Sequence, residues 1–520
     1  MKIATCQISP LTADLAGNFK KIHAAYANAQ NIGADICLLP ELCLTGYLAE
    51  DLFQKPAFQE EAQKYLEQII VQTQESYLII PTIFTENKKL YNGAIVAMGG
   101  KEIDRTYKNQ LPNYGIFDEK RYFHAKEPQI IEIKGVKIGI PICNDLWSPY
   151  VCSNLKKQGA QILLAPNASP FEEGKLQKRI NLLQDRFNET NLPIIYCNQV
   201  MAQDGIIFDG SSLCYDGELK IIGKAFEADQ QIIEFKNGKL VANTSYEAQT
   251  NPHEDIYQAM VIGTQYYVRN NGFSKIILGL SGGIDSALVA TIAADALGPE
   301  NVLAYMLPSQ FTSSDSLEDA KQLAEKLGIK LTTIKIDEVV AAFAKTLNTE
   351  QNSITYQNLQ SRTRGTILMA EANKHGALLL TTGNKSEYAT GYATIYGDMN
   401  GAFNPIKDVY KTHLYEIAKY KNTIPARIIT KAPSAELAPN QKDSDSLPEY
   451  NILDKILYQY IEQDHSKEQL CKQFDRALVN KILNLVKQSE FKRKQSAPGV
   501  KISSRNFEKE RRVPITNNYL

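Results

Sequence analysis

The sequence predicts an α/β protein built as two domains, and three observations carry that prediction. Short apolar runs alternate with helical patterns over roughly the first 240 residues. A polar stretch poor in large apolar side chains, Lys236-Asn237-Gly238-Lys239 through Asn251-Pro252-His253-Glu254-Asp255, then interrupts the alternation. Beyond it the rhythm resumes as strand, helix, strand, helix, strand, the signature of a parallel, doubly wound sheet. The expected division is 1–240 and 253–520, joined by a linker at 241–252, with Pro252 opening the next helix.

Composition narrows the function classes. With 43% hydrophobic and 22% charged residues the chain reads as an ordinary globular protein, and a net charge of −1 gives no bulk attraction to nucleic acid or to an anionic membrane. No signal peptide and no apolar run long enough to span a bilayer is apparent. The eight cysteines form no Cys-x-x-Cys pair and mostly lie in apolar runs. That pattern predicts a reducing cytoplasm and no structural zinc.

In the first half, strands are expected at Ile3–Ile8, Ile36–Leu39, Tyr77–Ile83, Ile130–Ile133, Val136–Ile142, Ile162–Ala165 and Ile194–Cys197. A helix after Asp14 carries Leu15, Phe19 and Ile22 on one face. Three polar residues stand at ends of extended runs: Glu41 after Leu38-Leu39-Pro40, Lys108 after Thr106-Tyr107, and Cys143 after Ile140-Pro141-Ile142. Together these types make an amide-cleaving set. A thiol needs a base and a nearby cation to become a nucleophile, Glu supplies the base, and Lys holds a developing oxyanion.

The runs Leu39-Pro40-Glu41-Leu42-Cys43, Tyr107-Lys108 and Ile142-Cys143-Asn144-Asp145-Leu146-Trp147 resemble the nitrilase superfamily. The resemblance implies an αββα sandwich that commonly pairs across a two-fold, with Glu41 as general base, Lys108 as oxyanion-stabilising cation and Cys143 as nucleophile. The run Leu111 to Phe123 and Asn167-Ala168-Ser169-Pro170-Phe171 resemble more narrowly the glutaminase domains of the glutamine-dependent NAD synthetases. That likeness implies a glutamine pocket lined by Tyr114, Phe117, Glu119 and Ser169, with Glu119 accepting the α-ammonium. Spacing names no donor for the α-carboxylate.

In the second half, strands are expected at Ser274–Leu280, Val302–Leu307, Leu331–Ile336 and from Leu378, with helices at 285–297 and 315–327. The first strand runs into Ser281-Gly282-Gly283-Ile284-Asp285-Ser286 at the start of a helix. Convergent backbone N–H groups and a helix N-terminus suit a phosphate, and Asp285 there makes sense with Mg²⁺ between it and the phosphates. Glu387, after Thr381-Thr382-Gly383-Asn384-Lys385-Ser386, is placed to share that metal. Arg362 and Arg364 on one helix suit phosphate groups.

The Ser-Gly-Gly-x-Asp-Ser loop resembles the pyrophosphate-binding loop of the ATP pyrophosphatases, with their adenine nucleotide alpha hydrolase-like fold. With Gly391 to Asp398, Asn404 to Lys411 and Lys431 to Leu437, the second half resembles NAD synthetase domains. By that resemblance Ser281, Gly282, Gly283, Asp285, Ser286, Thr382 and Lys411 contact ATP. Asn358, Arg362, Glu387, Asp398 and Lys492 contact nicotinic acid adenine dinucleotide. Asp285 and Glu387 hold Mg²⁺. The basic C-terminal run Lys492-Arg493-Lys494 is expected to bind phosphates or cover the site, and Gln441–Pro448 to be a mobile loop over substrate.

The two halves together predict an enzyme that uses glutamine, ATP and nicotinic acid adenine dinucleotide. It is expected to be a cytoplasmic homo-oligomer with a protein-enclosed path for ammonia. An amidase feeding another adenylated acceptor, or a non-catalytic nucleotide-binding scaffold, are the readings to exclude.

Overall fold

Period-two alternation builds the first unit, Met1–Thr250, in the computed structural model, which describes residues 1–247, 251–351, 353–439 and 441–519. Its elements run β1 (Lys2–Gln7), α1 (Leu15–Asn31), β2 (Ile36–Leu38), α2 (Pro56–Val71), β3 (Tyr77–Glu86), β4 (Lys89–Met98), β5 (Lys101–Tyr107), β6 (Ile131–Ile133), β7 (Val136–Gly139), α3 (Pro149–Lys157), β8 (Ile162–Asn167), α4 (Lys175–Thr190) and β9 (Ile194–Asn198). The strands β10 (Val200–Gln203), β11 (Ile206–Asp209), β12 (Leu213–Tyr215), β13 (Leu219–Ile221), β14 (Asp229–Lys236) and β15 (Lys239–Ala242) follow.

One sheet has the order β15-β14-β1-β2-β3-β4-β5 and the other β13-β12-β9-β8-β7-β6. Ile3, Ile36, Leu38, Ile79 and Val96 of the first sheet share a core with Ile138, Ile162, Leu164 and Ile195 of the second. The intervening side chains of β8, Leu163 and Ala165, instead pack with Val151, Leu155, Ile180 and Leu183 of α3 and α4. On the far side, α1 and α2 pack on β2 and β3. The result is the expected αββα sandwich.

The sequence reading took β5 only as an extended run before Lys108 and overlooked β4 and the strands β10 to β15 after β9. The hairpins β3–β4, β4–β5 and β14–β15 each turn on two residues in the left-handed region, such as Asn237 (φ 52°) and Gly238 (φ 75°) in the last. β15 therefore occupies residues expected to begin the interdomain connection, of which 248–250 lie outside the described residues.

A buried ion pair locks the second layer of helices. Arg179 of α4 is wholly buried, donates to both carboxylate oxygens of Asp209 on β11 at 2.7 Å, and donates through Nη2 to the backbone carbonyl of Ser169 at 2.8 Å.

The second unit, Asn251–Leu520, starts with α5 (Pro252–Asn270), where the Asn251 side chain accepts from the His253 N–H at 3.0 Å and Pro252 takes the first helical position. Then come β16 (Ile276–Gly279), α6 (Ile284–Leu297), β17 (Val302–Met306), α7 (Ser314–Leu327), β18 (Lys330–Thr333), α8 (Asp337–Leu347), α9 (Ile354–His375) and β19 (Leu378–Leu379). The order β18-β17-β16-β19 is parallel throughout, as a doubly wound sheet requires. The helix α6 is apolar on every side and almost entirely buried, which fixes its N-terminus at the carboxyl end of β16.

The chain continues through α10 (Lys385–Thr390), α11 (Lys411–Lys421), α12 (Ala426–Thr430), α13 (Tyr450–Ile461), α14 (Lys467–Leu470), α15 (Arg476–Gln488) and α16 (Glu490–Arg493). Leu453, Leu457, Val479, Ile482 and Val486 of α13 and α15 form one core with Tyr388 and Ala389 of α10. Arg493 belongs to that core and is not available to a phosphate. Its guanidinium is buried, bridges to Glu490 at 2.7 Å and donates to the carbonyls of Tyr388, Ala389 and Val486. In the segment expected to be mobile, Asp443 is buried, its N–H donating to Pro433 O at 3.2 Å and one oxygen accepting from the Tyr450 hydroxyl at 3.0 Å.

Asp209→Ala leaves the Arg179 guanidinium buried without its counter-ion and should destabilise the first unit by about 3–5 kcal/mol. Trp147, the single tryptophan, lies in this unit, so urea unfolding followed by its fluorescence reads the effect. A midpoint unchanged from wild type would refute it.

Candidate active sites

In the first unit the loops after β2, β5 and β7 deliver Glu41, Lys108 and Cys143 to one buried place. Lys108 is 0% exposed, and its Nζ donates to Glu41 Oε1 at 2.6 Å and to Glu119 Oε1 at 2.7 Å. Burial alone would lower its pKa, but the charges of Glu119 and Glu41 outweigh that and hold the ammonium well above its ordinary value. Cys143 shares their field. Burial and Glu41 push its thiol well up, against the opposing pull of Lys108 and of the Ala168 N–H. The balance favours the thiol over the thiolate. Its backbone φ of 46° is a strained value for a side chain other than glycine.

Asp145, which the sequence reading did not assign, ties this place together. Its Oδ2 accepts from Ile142 N at 3.0 Å, closing the turn that carries Cys143. Its Oδ1 accepts from Asn109 N at 3.1 Å and Gln110 N at 2.7 Å, anchoring the chain just after Lys108. Burial raises the carboxyl to about 6 despite those N–H donors.

The expected pocket residues divide. Tyr114 is 58% exposed and its hydroxyl donates to Asn144 Oδ1 at 2.8 Å, beside Cys143. The Phe117 ring lies 5.6 Å from that of Tyr114 and 6.2 Å from that of Tyr47. Ser169 is buried, its Oγ accepting from Arg179 Nε at 3.1 Å. Glu119 is not on the rim. It is 2% exposed, and its Oε1 also accepts from the Tyr47 hydroxyl at 2.6 Å. Burial, together with Glu41 and against Lys108, raises it to about 7. At that position its carboxylate is paired with Lys108 and Tyr47. Glu172 and Lys175, missed in the sequence, carry opposite charges nearer the open side. Their charged atoms are 3.8 Å apart, Lys175 stands 5.1 Å from the centre of the Trp147 ring, and the charge of Glu172 reaches the Tyr114 phenol.

In the second unit the Ser281–Ser286 turn precedes α6. Ser286 Oγ accepts from Ser281 N at 3.1 Å and lies 3.0 Å from Ser281 Oγ, and Gly283 N donates to Ser281 Oγ at 3.3 Å. Gly283 caps α6 with no side chain, leaving first-turn N–H groups for a ligand. Gly282 has φ +80°, and a Cβ there would stand 2.4 Å from Ser316 O.

Lys411, buried at the start of α11, bridges to Asp285 and lies 3.9 Å from Glu387. Asn384 Nδ2 donates to Asp285 Oδ1 at 2.9 Å. Those two carboxylates overcome burial to raise Lys411, while burial and Asp285 push Glu387 well up despite Lys411. Among the described residues no three carboxylate, imidazole or thiol groups converge as a complete metal cage. Asp285 and Glu387, two mutually repelling carboxylates beside a phosphate-type loop, are the donor set that suits Mg²⁺ completed by phosphate oxygens.

A second cluster forms around the turn at 391–398. Asp398 Oδ1 accepts from Thr394 N at 2.6 Å and Ser361 Oγ at 3.3 Å. Thr394 Oγ1 donates to Asn358 Oδ1 at 3.1 Å, Arg362 Nε to Ile395 O at 3.3 Å, and Lys492 Nζ to Gly391 O and Ala393 O at 2.7 Å. Asn358, Arg362, Asp398 and Lys492 are thus together, whereas Glu387 stands with Asp285 and Lys411. Half-buried Thr382 follows Thr381, whose Oγ1 donates to Asp398 O at 2.7 Å. Arg364 points elsewhere, donating to Leu307 O at 2.9 Å, and burial lowers it to about 10.

The carbon–nitrogen hydrolase family model matches residues 2–235 and the NAD synthase family model residues 256–496. A hydrolase unit and a synthase unit on one chain define a carbon–nitrogen ligase with its own hydrolytic domain. Over its full length the chain is 42% identical to a glutamine-dependent NAD(+) synthetase of Acinetobacter baylyi, covering 98% of that protein, and 39% identical to one of Thermotoga maritima, covering 99%. It is similar, with a TM-score of 0.81, to the solved glutamine-dependent NAD+ synthetase of Acinetobacter baumannii in complex with ADP, at 39% identity over 99% of this chain and 98% of that one. The chain belongs to the glutamine-dependent NAD(+) synthetase family.

Gly282→Ala forces a methyl group against Ser316 O in a backbone conformation that costs roughly 1–2 kcal/mol without glycine. Mg-ATP binding by calorimetry should weaken at least about tenfold. Unchanged affinity would show that this turn does not bind the nucleotide.

Proposed function

We propose that this protein amidates nicotinic acid adenine dinucleotide to NAD+, at the expense of ATP, with ammonia cut from glutamine in its first unit. One observation carries the hydrolytic half: a buried Lys108 shared by two carboxylates in the pocket that holds the Cys143 thiol. Because the thiol is protonated at rest, Glu41 removes its proton as the sulfur attacks the glutamine side-chain carbonyl. Lys108 stabilises the oxyanion. Glu41 returns the proton to the departing nitrogen, leaving a thioester and ammonia, and then activates the water that releases glutamate. Glu172 and Lys175 offer the charges that complement glutamine's α-ammonium and α-carboxylate, with Tyr114, Phe117 and Ser169 shaping the pocket.

In the second unit Ser281–Ser286 cradles the ATP phosphates, with Lys411 neutralising them and Thr382 alongside. Asn358, Arg362, Asp398 and Lys492 orient the dinucleotide. Asp285 and Glu387 would hold Mg²⁺, which when bound offsets phosphate charge and polarises the phosphoryl oxygens. The nicotinate carboxylate attacks the α-phosphorus and expels pyrophosphate. Ammonia then displaces AMP from the resulting adenylate. Activation is required because a free carboxylate is a poor electrophile. A cytoplasmic homo-oligomer and an enclosed route for ammonia fit this chemistry, since ammonia protonated in transit is no longer a nucleophile.

Cys143→Ala should abolish NAD+ formation with glutamine and retain it with ammonium within about threefold. Equal loss with both nitrogen sources would refute the division of labour. Glutamine hydrolysis should also fall as pH drops through about 7, where Glu119 takes up a proton and Lys108 loses one of its two counter-charges. Glu119→Gln removes that titrating group, so the acid limb near pH 7 should disappear. An unmoved limb would place the titrating group elsewhere.

A further inference from the structure

Asn92 is a buried polar side chain of the hydrolytic pocket that the mechanism above leaves unused. It lies on β4, paired with Ile83 of β3, and is 0% exposed. Its Nδ2 donates to Glu41 Oε1 at 2.8 Å, and its backbone carbonyl accepts from Lys108 N at 2.9 Å. One residue therefore holds the side chain of the base and the backbone of the cation.

The consequence for Glu41 is an asymmetric carboxylate. Oε1 accepts from both Lys108 and Asn92, whereas Oε2 is buried with no hydrogen-bond partner. Glu119 is held alike: Oε1 accepts from Lys108 and Tyr47, and Oε2 is left bare. A carboxylate clamped by two donors on one oxygen cannot rotate to exchange its oxygens, and the bare oxygen keeps the greater proton affinity. Asn92 itself has its Oδ1 buried without a partner. An orphaned amide oxygen costs stability, so an apolar side chain would serve the sandwich core better. Turning the amide over would set Oδ1 against Glu41 Oε1, oxygen against oxygen, so the donor orientation is dictated by its neighbour.

We propose that Asn92 is the positioning residue of the glutamine-hydrolysing site, clamping Glu41 so that Oε2 alone serves as the proton-accepting atom toward Cys143. The assignment rests on the hydrolytic reading of the first unit. It acts through Glu41 and makes no contact with substrate, so its loss should lower kcat for glutamine and spare KM.

The test is glutamate release from glutamine by the full chain across pH, for wild type, Asn92→Leu and Asn92→Asp, with urea unfolding followed by Trp147 fluorescence as the check on folding. Leucine keeps the volume and removes the donor. It should lower kcat about 10- to 100-fold with KM within about threefold, at a midpoint no lower than wild type. Aspartate keeps the shape but adds a carboxyl that competes for the proton, and should move the acid limb to higher pH. A leucine variant that is folded and within threefold of the wild-type kcat would overturn the proposal, as would a change confined to KM. So would an aspartate variant with an unmoved acid limb. Wild-type enzyme that releases no glutamate, or a Cys143→Ala variant that still does, would overturn the hydrolytic reading itself and this assignment with it.

Discussion

The buried Lys108 ammonium is the interaction on which the first unit's site depends. A wholly buried cation is tolerated only where counter-charges and hydrogen bonds replace water, and here two carboxylates supply them within 2.7 Å. Those partners come from chain segments far apart in sequence: Glu41 follows β2, Asn92 lies on β4, Lys108 follows β5, and Glu119 lies in the loop beyond it. The strands β2 to β5 of one sheet have to be in register before the lysine is neutralised.

The second unit uses the same device for another end. Lys411 is also buried between two carboxylates, Asp285 and Glu387. There the cluster opens on a turn of backbone N–H groups at the head of a buried helix, and the two anions outnumber the single cation. Lys411 offsets the repulsion between those two carboxylates at the mouth of that turn, whereas in the first unit the paired carboxylates share their field with a thiol.

Much of this was legible in the chain. Apolar alternation showed both layered units, because strands buried on both faces must be apolar. Glu41, Lys108 and Cys143 stood out because each ends an extended run and because the runs around them resemble the nitrilase superfamily. The pairing of Glu119 with Lys108 was not legible, since a carboxylate among aromatic residues looks the same whether it faces a ligand's ammonium or a lysine from the preceding strand. Asn92 and Asp145 were invisible for a related reason: their importance lies in which atoms they meet across the sheet. Arg493 misled because its basic neighbours suggest an exposed tail, whereas helix-end carbonyls draw it into a core. The overlooked β14–β15 hairpin did carry a signal, the Asn237-Gly238 pair.

The protonated state of Cys143 bears on how the protein survives oxidants. Peroxides and soft electrophiles attack thiolates far faster than thiols, and the first products of that attack lead toward sulfinic and sulfonic acids that abolish nucleophilicity. Burial and the charge of Glu41 favour the thiol of Cys143, so the fold that buries this sulfur also holds it in its less readily oxidised form.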